Sequence, residues 1–174
     1  MQLSKFTLIQ QLHNKRRSRL ILAGQSQRST ALGYWAMSNP LHVFELFRKL
    51  ELSRYKRFVD LGSGDGIVVA VASLFTDSAG IEIDENLHKD ALEIRSRLGL
   101  DYELKNMDYL EEDLSQYDVI FINPDNYFYK LEKALVENFR GIIIITDNIF
   151  RPLTLRPSDN LSVMGTRYSI YKLY

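Results

Sequence analysis

The chain has 174 residues, about one domain's worth, and its content of 45% hydrophobic and 25% charged residues is that of an ordinary globular protein. It contains no cysteine, which excludes disulfides, thiolate zinc sites and cysteine nucleophiles, and its three histidines are too scattered to predict a histidine-rich metal centre. The sequence shows neither the run of about 18 apolar residues that a membrane span needs nor a secretory signal. We therefore expect a cytoplasmic protein with no membrane partner.

Charge is unevenly distributed along the chain, although the formal net charge is zero. Residues 1–44 contain no acidic side chain, and their six basic ones are Lys5, Lys15, Arg16, Arg17, Arg19 and Arg28. Such a segment either forms a solvated helix face beside an acidic body or binds an anionic partner such as nucleic acid. The sequence leaves both interpretations open.

The N-terminal part of the chain predicts helices rather than strands. Apolar residues recur at helical spacing over residues 3–12, which predicts a short amphipathic helix, whereas residues 25–33 are small and polar and are expected to be irregular. The pair Asn39-Pro40 joins a capping residue to a proline and is typical of a helix start. We assign residues 1–37 to a basic helical N-terminal arm and residues 38–174 to the main domain.

From residue 57 onwards, predicted strands alternate with predicted helices. Strands are predicted over residues 57–61, 78–83, 101–105, 117–122, 141–146, 161–164 and 168–174, and the helices between them over residues 67–75, 85–98 and 127–139. Repeated strand–helix units predict an α/β fold with a doubly wound, mostly parallel, seven-stranded sheet and a helical N-terminal extension. Right-handed crossovers would place a ligand outside the carboxyl ends of the strands.

The turn after the first predicted strand is rich in glycine. Gly62 and Gly64 allow the backbone to approach a ligand closely, but the third glycine of a dinucleotide fingerprint is replaced by Ile67. Asp60 and Asp65 flank the turn and would repel a pyrophosphate by about 1 kcal/mol for each close pair of charges, even in water. They would attract a ligand that carries an ammonium and a sulfonium group, and S-adenosylmethionine has both.

Two further acidic residues follow the next predicted strands. Glu82 ends the second strand, where its carboxylate can accept hydrogen bonds from both hydroxyls of a ribose. Asp108 follows the third strand and can accept a hydrogen bond from the amino group of an adenine. Four acidic residues at successive strand ends, together with the glycine turn, predict a cofactor site.

Three segments carry a resemblance to a known family. The sequences VDLGSGDG at 59–66, GIEID at 80–84 and NMDYL at 106–110 resemble motifs of the class I (seven-strand) S-adenosylmethionine-dependent methyltransferases. The resemblance implies a doubly wound sheet that ends in a reversed hairpin. It also implies cofactor contacts by Asp60, Gly62, Gly64, Glu82 and Asp108, and a lid formed by the segment around Tyr34 and Trp35.

The methyl acceptor depends on the loop after the fourth predicted strand. Residues 118–123 (DVIFIN) and 160–166 (NLSVMGT) resemble the non-SET histone-lysine methyltransferases of the disruptor-of-telomeric-silencing type, and the compact layout is similar to small archaeal protein-lysine methyltransferases. This resemblance implies N-methylation of a protein lysine. We expect Asn123 and Tyr127 to position the acceptor, within a channel whose aromatic lining is drawn from Tyr34, Trp35, Tyr127 and Phe128.

Three alternatives remain open at this stage. Asp147 and Asn148 resemble metal ligands of cation-dependent O-methyltransferases, which act on phenols with magnesium, although our prediction includes no bound metal. Asn123-Pro124 begins a loop used by nucleic-acid amino-methyltransferases, and the basic residues 15–19 could contact phosphates, but Asp125 interrupts the motif. A non-catalytic interaction module is the last alternative, and the intact glycines and Glu82 argue against it.

Overall fold

The structure is a computed structural model that describes residues 2–25, 27–30 and 33–174, with residues 27 and 28 described by their backbone alone. The side chain of Arg28, which belongs to the basic set noted above, lies outside the described part. Within the described residues, no helix combines the length and the apolar character that a membrane crossing needs.

A seven-stranded sheet forms the centre of the fold, in the order β5-β4-β3-β6-β7-β9-β8. Strands β3 to β7 are parallel, whereas β9 runs antiparallel to both β7 and β8. The strands of this sheet are β3 (Arg57–Leu61), β4 (Asp77–Glu82), β5 (Glu103–Asn106), β6 (Val119–Ile122), β7 (Gly141–Thr146), β8 (Asp159–Val163) and β9 (Thr166–Leu173). The doubly wound sheet and its reversed final hairpin are confirmed.

Helices cover both faces of this sheet, as the unbroken apolar strands require. They are α1 (Gln2–Leu22), α2 (Pro40–Lys49), α3 (Ile67–Ala72), α4 (Glu85–Leu98) and α5 (Tyr129–Asn138). One hydrophobic core joins α1, α2, α3 and part of α4 to one face, and a second core packs α5 against the other. The run of four isoleucines in β7 lies between these two cores.

Capping residues fix two of the helix starts that the sequence indicates. The Asn39 side chain accepts a hydrogen bond from Leu41 N at 3.0 Å and Pro40 occupies the first turn of α2, as predicted. Asp84 caps α4 by accepting from Leu87 N at 2.9 Å. Because Asp84 lies two residues after Glu82, this cap also fixes the backbone at the end of β4.

The N-terminal segment differs from its prediction in two ways. Helix α1 is not short but continues to Leu22, because residues 6, 9, 13 and 16 form one continuous inner face and the basic run consists of good helix formers. Residues 25–33, expected to be irregular, contain strand β1 (Gln27–Ser29), which pairs with β2 (Tyr34–Ala36). We call this pair the lid hairpin. The division of the chain at residue 37 stays a prediction.

Helix α1 packs antiparallel to α3, within the same hydrophobic core. In this core the Phe6 ring of α1 also stacks on the Phe44 ring of α2, with centroids 4.1 Å apart. Gln2 near the start of α1 donates to Leu74 O just past the end of α3, whereas Arg16 near its end pairs with Asp65 just before α3 begins. The C-terminal end of α1 therefore lies at the same edge of the sheet as the glycine turn.

Candidate functional site: a two-chambered cavity at the strand ends

Two adjoining chambers lie at the carboxyl ends of β3, β4, β5 and β6. The larger has a volume of about 220 Å³ and the smaller about 50 Å³. Tyr34, Trp35, Gly62 and Asn123 line both chambers, so the two form one elongated space under the lid hairpin. This is the position that the doubly wound topology predicts for a ligand.

The glycine turn is held against β4 by its backbone. Gly62 N donates to Ile81 O at 2.9 Å, and Gly64 N donates to Glu82 Oε2 at 2.8 Å. Both glycines have positive φ angles, +75° and +55°, which side chains rarely tolerate. A Cβ atom at Gly62 would meet only open space, whereas one at Gly64 would collide with the Trp35 ring, so the turn and the lid are in direct contact.

Asp60 lines the smaller chamber and is only 3% exposed. Burial, followed by the neighbouring carboxylates of Glu82 and Asp65, raises the pKa of Asp60 well above its ordinary value. None of the described residues offsets this effect with a hydrogen bond to its carboxylate. A buried carboxylate of this kind fits an incoming ammonium group.

The carboxylate of Asp65 has a different role from the one that the sequence suggested. It pairs with Nη1 of Arg16 and accepts a hydrogen bond from Ile67 N at 3.4 Å. Burial raises the pKa of Asp65, while Arg16 acts in the opposite direction. Asp65 is therefore already neutralised by the protein, and of the two aspartates that flank the turn, Asp60 is the one suited to bind a cation.

Glu82 and Asp108 both line the larger chamber. Glu82 Oε2 is bonded to Gly64 N, its Oε1 accepts from Asp84 N at 2.8 Å, and burial raises its pKa. Asp108 Oδ1 accepts from Leu110 N at 2.9 Å and caps a short 3₁₀ turn, Tyr109–Glu111. Local backbone bonds thus orient each carboxylate, and each retains acceptor capacity towards the chamber.

The larger chamber also has apolar walls that the sequence analysis did not identify. Ile83, Leu87 and Leu110 contribute to them, and Ile83 and Leu110 are 44% and 41% exposed. Apolar side chains of this kind suit the faces of a purine ring. Their position in the sequence could have indicated them, since Ile83 directly follows Glu82 and Leu110 lies two residues after Asp108.

On the acceptor side, the structure separates the two residues that we expected to act together. Asn123 lines both chambers. Tyr127 lies outside the lining and is 55% exposed, its ring stacked on Tyr129 with centroids 5.3 Å apart. The aromatic wall at this point is formed instead by Phe128, which is 8% exposed.

Long-range hydrogen bonds hold the acceptor loop, residues 123–128. Tyr34 N in the lid hairpin donates to Asp125 Oδ2, and Asn148 Nδ2 donates to Pro124 O at 2.7 Å. Asp147, next to Asn148, pairs with Arg151 at 2.8 Å and with Arg167 at 3.4 Å. Within the described residues, no three His, Cys, Asp or Glu side chains form a group suited to a metal.

Comparison with known proteins identifies the family. Residues 33–173 match the family described as "Histone methylation protein DOT1". The chain belongs to this family. It is an S-adenosylmethionine-dependent methyltransferase, as the class I motifs indicated. No curated protein sequence matches the chain.

Solved structures share the fold of this DOT1-family protein at low sequence identity. An RNA methyltransferase from Salinibacter ruber, in complex with S-adenosyl-L-homocysteine, is 23% identical with a TM-score of 0.66, over 80% of this chain and 94% of its own. A Pyrococcus abyssi tRNA (uracil-54, C5)-methyltransferase, also in complex with S-adenosyl-L-homocysteine, is 18% identical with a TM-score of 0.62, over 80% of this chain and 40% of its own. A putative methyltransferase, yhhF, from Escherichia coli is 13% identical with a TM-score of 0.63, over 80% and 88%.

The side chains of the cavity suit the chemical groups of S-adenosylmethionine. Asp60 in the smaller chamber suits the ammonium of the methionine part, and the open space beside Gly62 admits its backbone. Glu82 in the larger chamber suits the ribose hydroxyls, and Asp108 suits the adenine amino group. These contacts stay predictions for individual residues, but the structure brings all of them to one cavity.

Proposed function

We propose that this DOT1-family protein transfers a methyl group to the side-chain nitrogen of a lysine in a protein. The family match and the resemblance of residues 118–123 and 160–166 support a lysine acceptor. The observation that carries the proposal is the chemistry of the larger chamber. Acidic and aromatic side chains line it, and none of its described lining residues is lysine, arginine or histidine.

This lining favours a cationic acceptor over an anionic one. Glu82, Asp108 and Asp125 place negative charge around the chamber, which attracts an alkylammonium and repels the phosphates of a nucleic acid. The rings of Trp35 and Phe128 provide apolar walls for the alkyl chain, and their faces can make cation–π contacts with its ammonium group. We assign Glu82 and Asp108 to the cofactor, so Asp125 is the acidic lining residue that we assign to the acceptor.

The protein's task in this reaction is to position a nitrogen with a free lone pair. When bound, S-adenosylmethionine supplies a methyl group on a positively charged sulfur. Burial against Trp35 and Phe128 would lower the pKa of the lysine ammonium from about 10.4, so that it releases its proton to solvent more readily before the transfer. The Asn123 carboxamide oxygen accepts an N–H from the amine and directs the lone pair towards the methyl carbon. Formation of the N–C bond would accompany cleavage of the C–S bond, with the electron pair remaining on sulfur and the positive charge passing to the methylated nitrogen.

Tyr127 would act in this proposal from outside the chamber. Its ring stacks on Tyr129 and meets Phe150 edge to face with centroids 5.2 Å apart, which gives an exposed aromatic surface at the end of the acceptor loop. Exposed aromatic side chains of this kind favour contact with a protein partner. We therefore propose that Tyr127 contacts the protein substrate rather than the reacting nitrogen.

The two enzymatic alternatives find less support. For a cation-dependent O-methyltransferase, Asp147 is engaged by two arginines and Asn148 by the Pro124 and Phe150 backbones. For a nucleic-acid amino-methyltransferase, Lys15, Arg17 and Arg19 are exposed at the end of α1, but the chamber itself is acidic. The Salinibacter ruber neighbour is described as an RNA methyltransferase, and its likeness to this chain extends to the fold alone.

A labelling experiment with blocked lysines tests the proposal. The purified protein is incubated with methyl-labelled S-adenosylmethionine and, separately, a mixed protein extract, the same extract with its lysines acetylated, total RNA, and catechol. We expect label only in the untreated protein extract, recovered after hydrolysis as methyl-lysine and unaffected by a chelator. Label in RNA, or label in protein that resists acetylation, would refute a lysine acceptor. A Glu82→Ala enzyme serves as the inactive control.

A further inference from the structure

Arg16 of helix α1 contacts three separate elements around the cofactor site. Its Nη1 pairs with Asp65 of the glycine turn, and its Nη2 lies 2.8 Å from Asp90 Oδ2 of α4. Its guanidinium carbon lies 5.6 Å from the centroid of the Trp35 ring in the lid hairpin. The Arg16 side chain is only 12% exposed.

These contacts come from outside the family-matched part of the chain. The DOT1 match begins at residue 33, so α1 and Arg16 precede it. Asp65 and Trp35 both line the smaller chamber, and a Cβ atom at Gly64, the residue before Asp65, would collide with the Trp35 ring. Arg16 of α1 therefore contacts two lining residues of that chamber, Asp65 in the glycine turn and Trp35 in the lid hairpin.

The chemistry of the contacts requires an arginine. A planar guanidinium can bond two carboxylates with its two terminal nitrogens while its face lies over an indole ring, whereas an ammonium cannot do both. Asp65 is 3% exposed, and removing the partner of a carboxylate this deeply buried leaves an uncompensated charge. The glycine turn would then shift, or Asp65 would take up a proton.

We propose that Arg16 is a positioning residue for S-adenosylmethionine, holding the glycine turn and Trp35 in the arrangement that accepts the methionine end of the cofactor. Arg16 itself does not line either chamber, so it acts through Asp65 and Trp35. The basic residues 15–19 thus lie in two environments on one helix, since Arg16 faces inward while Lys15, Arg17 and Arg19 face solvent. The inference depends on the cofactor and not on the identity of the acceptor.

The first test compares the cofactor affinity of Arg16→Gln with that of Arg17→Gln, a matched loss of charge from the exposed neighbouring position. Calorimetric titration with S-adenosylmethionine should show binding weakened roughly tenfold, or about 1.4 kcal/mol, for Arg16→Gln and unchanged for Arg17→Gln. In an activity assay, KM for the cofactor should rise while kcat at saturating cofactor stays near that of the wild type. A rise in KM with unchanged kcat distinguishes a positioning role from a general loss of folded protein, which would lower kcat.

The second test uses fluorescence, because Trp35 is the single tryptophan of the chain. The ring is 8% exposed, so its emission should lie at short wavelength and resist quenching by acrylamide. In Arg16→Gln we expect emission at longer wavelength and easier quenching, with a partial return when S-adenosylmethionine is added. Arg17→Gln should match the wild type.

Two milder variants keep the proposal testable if Arg16→Gln fails to fold. Arg16→Lys retains the charge without the planar fork, and Asp90→Asn removes one partner whose side chain is 34% exposed. Both should weaken cofactor binding, Asp90→Asn by only about threefold because partly exposed pairs contribute little. If Arg16→Lys lowers the melting temperature but leaves cofactor affinity and Trp35 emission unchanged, Arg16 is structural only and the proposal is wrong.

Discussion

The two halves of the active site are held in place by different kinds of contact. In the cofactor half, backbone N–H groups within a few residues orient Asp108, and Glu82 bonds Asp84 N and the adjacent glycine turn. In the acceptor half, the loop 123–128 is fixed by residues distant in the chain, since Tyr34 N bonds Asp125 and Asn148 bonds Pro124. The cofactor half is thus oriented mainly by contacts within and between neighbouring strand ends, with Arg16 as its distant contact, whereas the proposed acceptor half depends on residues from several distant elements.

The largest effect should follow from Glu82→Ala, in the cofactor half. The substitution removes the proposed ribose acceptor and leaves Gly64 N and Asp84 N without this partner, so the glycine turn loses part of its support. We expect the affinity for S-adenosylmethionine to fall by about 100-fold or more, measured by calorimetry. Glu85→Ala is the control, because Glu85 is exposed and its ion-pair partner is Lys89 on the surface of α4. Affinity within threefold of the wild type would show that Glu82 does not bind the cofactor.

Asn123→Ala, in the acceptor half, should lower the rate of methyl transfer rather than the affinity for the cofactor. Loss of the carboxamide leaves the acceptor nitrogen poorly aligned, so kcat should fall by roughly 30-fold, while cofactor affinity changes little. Single-turnover methylation of a lysine peptide together with a calorimetric titration measures both quantities. Asn138→Ala, at the exposed end of α5, is the matched control. A large loss of cofactor affinity in Asn123→Ala would erase the distinction between the two halves.

A third effect concerns the pH dependence of cofactor binding. Burial raises the pKa of Asp60 in the ligand-free protein, and an ammonium binds the ionised carboxylate. S-adenosylmethionine should therefore bind more weakly as pH falls through this pKa, by at most about tenfold per pH unit. The fold itself responds with the opposite sign. Because the folded pKa of Asp60 lies above its unfolded value, the contribution of Asp60 to stability is present at low pH and lost as pH rises.

Proton release on binding provides the measurement. Titrations below pH 7, in two buffers of different ionisation enthalpy, should show protons released when the cofactor binds, and Asp60→Asn should lose most of this release. Glu82, whose pKa is also raised, can supply the remainder. Melting temperature is a poorer readout, because the pKa of His13 is lowered to about 4 and its burial destabilises the fold as pH falls below 6.5. Equal proton release in the wild type and in Asp60→Asn would exclude Asp60 as the ammonium partner.

The same contrast explains how much of the site the sequence could predict. Asp60, Gly62, Gly64, Glu82 and Asp108 each lie at the end of a strand or in the turn that follows, and parallel topology brings strand ends together. The order of elements therefore predicts their meeting without knowledge of any side-chain angle.

Tyr127 and Asp65 show where prediction from sequence ends. Tyr127 adjoins Phe128, and only the entry angle of α5 decides which of the two rings faces the chamber. The sequence alone predicts that Asp65 attracts the ligand, because its partner, Arg16, lies 49 residues earlier in a helix that continues beyond its predicted end. Both differences arise from packing between elements distant in sequence, which periodicity does not report.

The smallest effect should come from Tyr127→Ala, which addresses the position of Tyr127 outside the chamber. If its ring holds the polypeptide around the target lysine, KM for a folded protein substrate should rise about threefold, as expected for one exposed aromatic contact. The kcat value and the rate with a short lysine peptide should stay at wild-type levels. Tyr174→Ala, at a position that is 94% exposed, controls for loss of a surface tyrosine. A fall in kcat with unchanged KM would instead place Tyr127 beside the reacting nitrogen and would extend the acceptor half of the site beyond the chamber.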